Sequence, residues 1–204
     1  PEAQRIQAMQ VTPSFFRVVR AQPLRGQLFA DANGEPGQDK VVVLTHGFWQ
    51  RVYGGKDDAV GQDLRLGGEL YKVIGVLPKH FVFLDPDVQL YRPVAFTARE
   101  KSDESRHSNN WQQFGRLKDG ATLQQAQSQL DAINAANLER FPQWKEILIN
   151  ARFSSEVVNF QKHLVADRKA TLAMLWGGAI FVLLIGCVNV ANLVLVRSTS
   201  RIRE

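Results

Sequence analysis

Residues 170–196 read ATLAMLWGGAIFVLLIGCVNVANLVLV, without one charged side chain. About 20 predominantly apolar residues at 1.5 Å rise cross a hydrocarbon core of ~30 Å, and this run is longer. A core helix in a water-soluble domain seldom goes so far without a charge, so the stretch reads as a membrane-spanning helix. Its flanks agree. Asp167, Arg168 and Lys169 precede it, Trp176 lies within its first turns, and Arg197, Arg201 and Arg203 follow it. The cluster Arg197, Arg201 and Arg203 makes the C-terminal end the cytoplasmic flank, with Lys162, Arg168 and Lys169 reducing the asymmetry. Residues 1 to about 165 are then expected on the outer face of the membrane.

The span does not read as a plain anchor. Gly178, Val182, Ile185, Asn189 and Asn192 recur three or four residues apart, and Gly186 lies beside them. Asparagine in lipid is costly unless a neighbouring helix supplies hydrogen-bond partners, and glycine lets two helix backbones approach closely. A face carrying Gly178, Gly186, Asn189 and Asn192 is therefore expected to pack against further transmembrane helices. The competing reading is a single-pass anchor that tolerates two asparagines.

Composition narrows the remaining classes. The 204 residues are 45% apolar, enough to bury a core and too much for a disordered chain. With 15 Gly and 8 Pro the chain is neither collagen-like nor of low complexity. A single Cys excludes an internal disulfide and a thiolate-rich zinc or iron–sulfur site. The net charge of +5 raises nucleic acid as a partner. Basic and acidic residues interleave with no run of five like charges, so no nucleic-acid partner is expected. The chain opens on Pro1, and no charged n-region with an apolar core follows. That reads as an internal segment or processed product of a longer protein.

Ahead of the span the patterning is mixed α+β, in two lobes. Thr12-Pro13 predicts a short helix running through Phe15, Phe16 and Val19, with Thr12 as N-cap. Asp31–Gly37 is dense in turn formers. Val41–Thr45 reads as a buried strand, and His46–Tyr53 as a helix ended by Gly54-Gly55. Asp63–Leu66 and Glu69–Leu77 flank Gly67-Gly68, which predicts a β-hairpin. A strand is expected over Val88–Tyr91, and residues 98–110 read as a polar, mobile loop. The second lobe is expected to be a β-α-β unit: a strand over Trp111–Leu117, a helix and a strand over Ile147–Phe153. Thr122 and Gln125 have capping-box spacing and would open that helix. Its apolar face is Leu123, Ala126, Leu130, Ile133 and Phe141, and Pro142 would stop it. From Phe160 a polar segment is expected to lead into the span as a continuous helical stalk.

The chemistry-bearing residues form no recognisable site. His46, His80, His107 and His163 lack ligand spacing, so no metal is expected. There is no Gly-x-Ser-x-Gly elbow, and Cys187 lies in the apolar run, where packing is the simpler role. Asp85 and Asp87 read as turn residues rather than a calcium loop. Gly54-Gly55 and Gly67-Gly68 are turn glycines without a nucleotide-binding pattern around them, and Phe15-Phe16 and Phe48-Trp49 read as core. Neither a catalytic residue nor a cofactor site is expected in this chain.

Val11-Thr-Pro-Ser-Phe-Phe16, Gly26-Gln-Leu-Phe29, Val41-Val-Val-Leu-Thr-His-Gly-Phe-Trp49, Gly54-Gly55, Gly61 and Tyr71-Lys-Val-Ile-Gly-Val-Leu-Pro78 resemble the MacB-like periplasmic core domain of bacterial ABC transporter permeases. Leu183-Leu-Ile-Gly-Cys-Val-Asn-Val-Ala-Asn-Leu-Val-Leu-Val-Arg197, with Ser200-Arg201 and Arg203-Glu204, is similar to the start of the FtsX-like permease region. The resemblance runs through nearly the whole chain in order, and its spacing is similar to the large-permease branch without a fused ATPase.

The resemblance implies a periplasmic core domain over residues 1–164, and a stalk and transmembrane helix opening the permease region over residues 165–204. It implies four transmembrane helices with the outer domain between the first and second. The first would precede Pro1, and the third and fourth would follow Glu204. Implied partners are the membrane, a second permease protomer or repeat, a cytoplasmic ABC ATPase that binds the ATP, and a further periplasmic partner. The implied place is the bacterial inner membrane. The implied action is mechanotransmission, with ATP-driven movement of the Leu172–Val196 helix passed through Asn159–Lys169 to the β-α-β unit for export, extraction or signalling. Two other classes compete: a ligand-binding ectodomain of a single-pass sensor, and a membrane-tethered hydrolase with a clustered acid, base and nucleophile.

Overall fold

The computed structural model describes residues 5–105 and 111–201. They form two compact units, Pro1–Arg116 and Leu117–Glu204, and the fold is α+β with one long apolar C-terminal helix.

The first unit is built on a mixed sheet. Its strands are β1 (Ala8–Val11), β2 (Arg25–Gly26), β3 (Val41–Leu44), β4 (Asp63–Leu66), β5 (Glu69–Val76) and β6 (Leu90–Pro93). The order is β1-β6-β3-β5-β2, with β4 also on β5. β3 runs parallel to β5 and antiparallel to β6, while β1 runs parallel to β6. Residues 41–44 are continuously apolar because both faces of β3 are covered. Val42 and Leu44 pack with Phe48, Trp49, Tyr71 and Val73 on one face. Val43 packs with Phe15, Phe16, Phe29 and Tyr91 on the other.

The helices of this unit follow from their caps. α1 (Phe15–Val18) begins two residues after its expected start, with Ser14 as N-cap. Thr12 serves a turn instead, its carbonyl accepting from Phe15 N–H at 2.9 Å. α2 (His46–Tyr53) falls where the sequence puts it. Thr45 Oγ1 accepts from Phe48 N–H at 3.4 Å and donates to the Gln89 carbonyl at 2.9 Å, so one hydroxyl both caps α2 and ties it to the chain entering β6. Gly54 ends α2 in the left-handed region (φ 62°).

The hairpin forms as expected. Leu66 pairs with Glu69 across Gly67 and Gly68, whose φ angles of 58° and 91° suit a two-residue turn. Gly26 and Gly75 face each other across β2 and β5. A Cβ on either would run into the opposing backbone, at the Ile74 or the Gln27 carbonyl oxygen. β6 starts two residues later than Val88–Tyr91, because Val88 N–H is drawn into the turn closed by the Asp85 carbonyl (3.4 Å).

Among the described residues of the second unit the regular elements are helices alone, and the expected β-α-β unit is not there. Residues 111–117 form no strand. α3 (Leu123–Arg140) has the expected capping box: Thr122 Oγ1 accepts from Gln125 N–H at 3.1 Å and Gln125 Oε1 from Thr122 N–H at 2.9 Å. α3 ends just before Pro142, as expected, and Pro142 then opens α4 (Pro142–Asn150), since proline suits the first turn of a helix. Ile147-Leu148-Ile149 therefore lie in a helix, and a short apolar run of this kind fits either state. The parallel crossover is in the first unit instead, from β3 through α2 and the hairpin to β5. On α3, Ala126 and Leu130 are half-buried while Leu123 and Ile133 remain exposed.

Candidate functional site

α5 runs from Phe160 to Arg201 as one helix of 42 residues, about 63 Å long at 1.5 Å per residue. Asn159 starts it. Its Oδ1 accepts from Lys162 N–H at 3.0 Å and its carbonyl from His163 N–H at 2.9 Å. The stalk has neither Gly nor Pro between Asn159 and Lys169, so nothing in it breaks the hydrogen-bond ladder. Within α5, the 22 residues Leu172–Leu193 are long and apolar enough to cross a membrane. Their side chains face outward, with Trp176 71% and Leu183 67% exposed. That combination suits lipid or neighbouring helices and would be unfavourable in water.

Helical geometry brings the predicted packing residues together. At 100° per residue, Gly178, Val182, Ile185, Gly186, Asn189 and Asn192 fall within an arc of about 120°. A Cβ at Gly178 or Gly186 would meet nothing, so the stripe is open. Cys187 is also exposed in this window. Arg197 and Arg201 close α5, whereas Arg203 lies outside the described residues.

The segment entering α5 is tied to α3 by a residue that sequence reasoning missed. Gln127 Nε2 donates to the Ser155 carbonyl at 2.9 Å, and Gln127 Oε1 accepts from Val157 N–H at 2.7 Å. The partners lie 28 and 30 positions away. The one signal near Gln127 is local: Asp131, four residues on, accepts from Nε2 at 2.8 Å.

Several polar groups of the first unit are engaged structurally. Asp85 Oδ1 accepts from Asp87 N–H at 2.8 Å, which makes the pair a turn as the sequence predicts. Lys40 donates to Glu69 and to Tyr71 Oη, while Tyr71 O–H donates to Glu69 at 3.1 Å. The Lys40 hydrogen bond holds the Glu69 carboxyl below the usual carboxylate range and raises Lys40 in turn. Trp49 Nε1 donates to the Lys56 carbonyl at 2.8 Å.

A shallow depression is lined by Thr45, His46, Lys79, Phe81, Asp85 and Tyr91. Burial, with Asp85 adding a smaller effect, pushes the Tyr91 hydroxyl up to about 12, so it stays protonated. His46 sets its ring edge against Trp49 at 5.5 Å between centroids. His107 lies outside the described residues.

Comparison with known proteins finds similarity to two solved extracytoplasmic domains and to one family. The extracellular domain of the noncanonical ABC-type transporter YknZ from Gram-positive bacteria is 19% identical, over 43% of this chain and 43% of that one, with a TM-score of 0.35. The periplasmic region of MacB from Actinobacillus actinomycetemcomitans is 15% identical, over 61% of this chain and 54% of that one, with a TM-score of 0.43. The chain thus spans about half the length of these structures. No curated protein matches it. The family model for the MacB-like periplasmic core domain matches residues 1–133, which take in the whole sheet, α1, α2 and the capped start of α3. With well over half its length so matched, the chain belongs to the MacB-like periplasmic core domain family.

Proposed function

We propose that this chain is the extracytoplasmic head and one membrane helix of an ABC transporter permease of the mechanotransmission type. Residues 1–164 form the head, and residues 165–204 form the stalk and the first helix of an FtsX-like permease region. The observation that carries this reading is the continuity of α5. A 12-residue polar stretch, Phe160–Thr171, runs without a break into the apolar window Leu172–Leu193. An unbroken helix carries rotation or translation along its axis, which a glycine- or serine-rich linker would lose. Because α3 (Leu123–Arg140) and α4 (Pro142–Asn150) are helices with no strand on either side of them, the lever acts on α3 and α4 rather than on a β-α-β unit.

The other parts follow from that placement. Arg197, Arg201 and Arg203 form the cytoplasmic flank, so the head lies outside the inner membrane. ATP is bound and hydrolysed by a cytoplasmic ABC ATPase, and the head does no covalent chemistry. A second permease protomer or repeat completes the assembly, and a further periplasmic partner engages the head. The face carrying Gly178, Gly186, Asn189 and Asn192 packs against other transmembrane helices. The whole reading is tested mechanically: softening the stalk must disconnect ATP turnover from movement of the head.

The packing face has its own test. Replacing both Asn189 and Asn192 with Leu removes interhelical hydrogen bonds of about 0.6–2 kcal/mol each. The double variant of the full-length protein should lose roughly tenfold or more in assembly with its partner helices, read by cross-linking in membranes. Unchanged assembly would reduce α5 to a simple anchor.

A further inference from the structure

Between Phe153 and Asn159 the chain is neither helix nor strand, and α5 begins directly after it. Such a segment is a poor transmitter of force, since every residue keeps two soft backbone dihedrals. One side chain removes the slack. The primary amide of Gln127 meets the segment as a peptide group in a sheet would, donating to the Ser155 carbonyl and accepting from Val157 N–H. Asp131 takes the other Nε2 hydrogen one turn along α3, which fixes the rotation of the amide. Both donors and the oxygen of Gln127 are thereby used, on a half-buried side chain.

We infer that Gln127 is a latch: it fastens Ser155–Val157 to α3, so that movement of α5 reaches α3 only while its amide pair is closed. This rests on the mechanotransmission reading and assigns the coupling within it to one side chain. A carboxylate does not replace it in kind. It keeps the acceptor for Val157 N–H but presents an acceptor to both the Ser155 carbonyl and Asp131.

The test uses the full-length protein with its ATPase in nanodiscs. Hydrogen exchange is followed at the Val157 amide and along α3, with and without ATP. Gln127→Ala and Gln127→Glu should each lower protection of Val157 about tenfold, while the amides of α3 keep theirs in the absence of nucleotide. Both variants should also lose most of the ATP-dependent change in exchange along α3, with ATP hydrolysis continuing.

If Val157 is unprotected in the unaltered protein, or keeps its protection in Gln127→Ala, there is no latch, whatever the protein does. If protection falls but the ATP-dependent response of α3 is undiminished, the contact is structural only and the inference fails. The permease reading then still stands, provided that a flexible insertion in the stalk abolishes that response. If neither change alters the response, the permease reading fails as well.

Discussion

A glycine–serine tract of about six residues, inserted between Phe160 and Lys169, should abolish the ATP-dependent response of the head while ATP hydrolysis continues. The unaltered stalk is helical from its Asn159 cap into the apolar window. Each glycine in a helix interior costs about 1 kcal/mol relative to alanine, so the tract melts that part of α5 into flexible coil. Membrane insertion depends on Leu172–Leu193 and is left intact. Seven residues rich in Ala, Glu and Lys, inserted at the same place, provide the control. They keep the helix and lengthen it by about 10 Å, so a response should persist. Nucleotide-dependent hydrogen exchange along α3 and α4 in the reconstituted full-length protein measures both variants. An undiminished response after the glycine–serine insertion would defeat the lever.

Phe16→Ala should be the most destabilising single side-chain truncation in the head. Phe16 is 2% exposed. Its ring lies 5.2–6.0 Å from those of Phe15, Phe29, Phe81 and Tyr91. Removing a buried phenylalanine costs about 3–5 kcal/mol, through lost burial and the cavity left behind. Total stability of a domain is only about 5–15 kcal/mol, so the sheet should unfold at a markedly lower urea concentration. Val52→Ala, at a side chain 45% exposed, should stay within about 0.5 kcal/mol. Urea titration of the purified full-length protein, followed by tryptophan fluorescence of the head, checks the pair. Similar midpoints for Phe16→Ala and the unaltered protein would mean that the aromatic cluster is not the core.

The places where sequence and structure agree share a feature: the deciding signal is local. β3 and α2 are marked by a β-branched run, a Thr cap and a Gly pair within a few residues of one another. Gly67-Gly68 fixes the hairpin, and Thr122 with Gln125 fixes the start of α3. The apolar span is legible from composition alone, because lipid imposes its constraint residue by residue.

The disagreements have the opposite cause. β1 and β2 carry little periodicity, and their partners are β6 and β5, far along the chain. Ile147-Leu148-Ile149 suits a strand or a helix equally, and Pro142 decides between them: α3 ends just before it, as expected, and at the first turn it also starts α4. In Trp111–Leu117 the large apolar residues recur at every third position, Trp111, Phe114 and Leu117, not every second; no strand forms there, and Trp111 packs its ring against Phe96 at 5.3 Å. For the functional region, the stripe on α5 is readable from helical spacing. The grip of Gln127 on Ser155 and Val157 is not, since nothing local sets it apart from Gln124, Gln125 and Gln129 until the chain returns to it.

Sidedness of the two ends of α5 is the most direct test of the proposal that the chain crosses the membrane with its head outside. In the full-length protein, Cys187 and any other cysteine are replaced by serine, and a single cysteine is placed at Val82, 63% exposed on the head, or at Ser198. Spheroplasts are treated with a membrane-impermeant maleimide before and after permeabilisation. The expected result is labelling of Val82→Cys in intact spheroplasts and of Ser198→Cys only once the membrane is opened. Labelling of both positions before permeabilisation, or of neither, would put head and tail on one side and contradict the account.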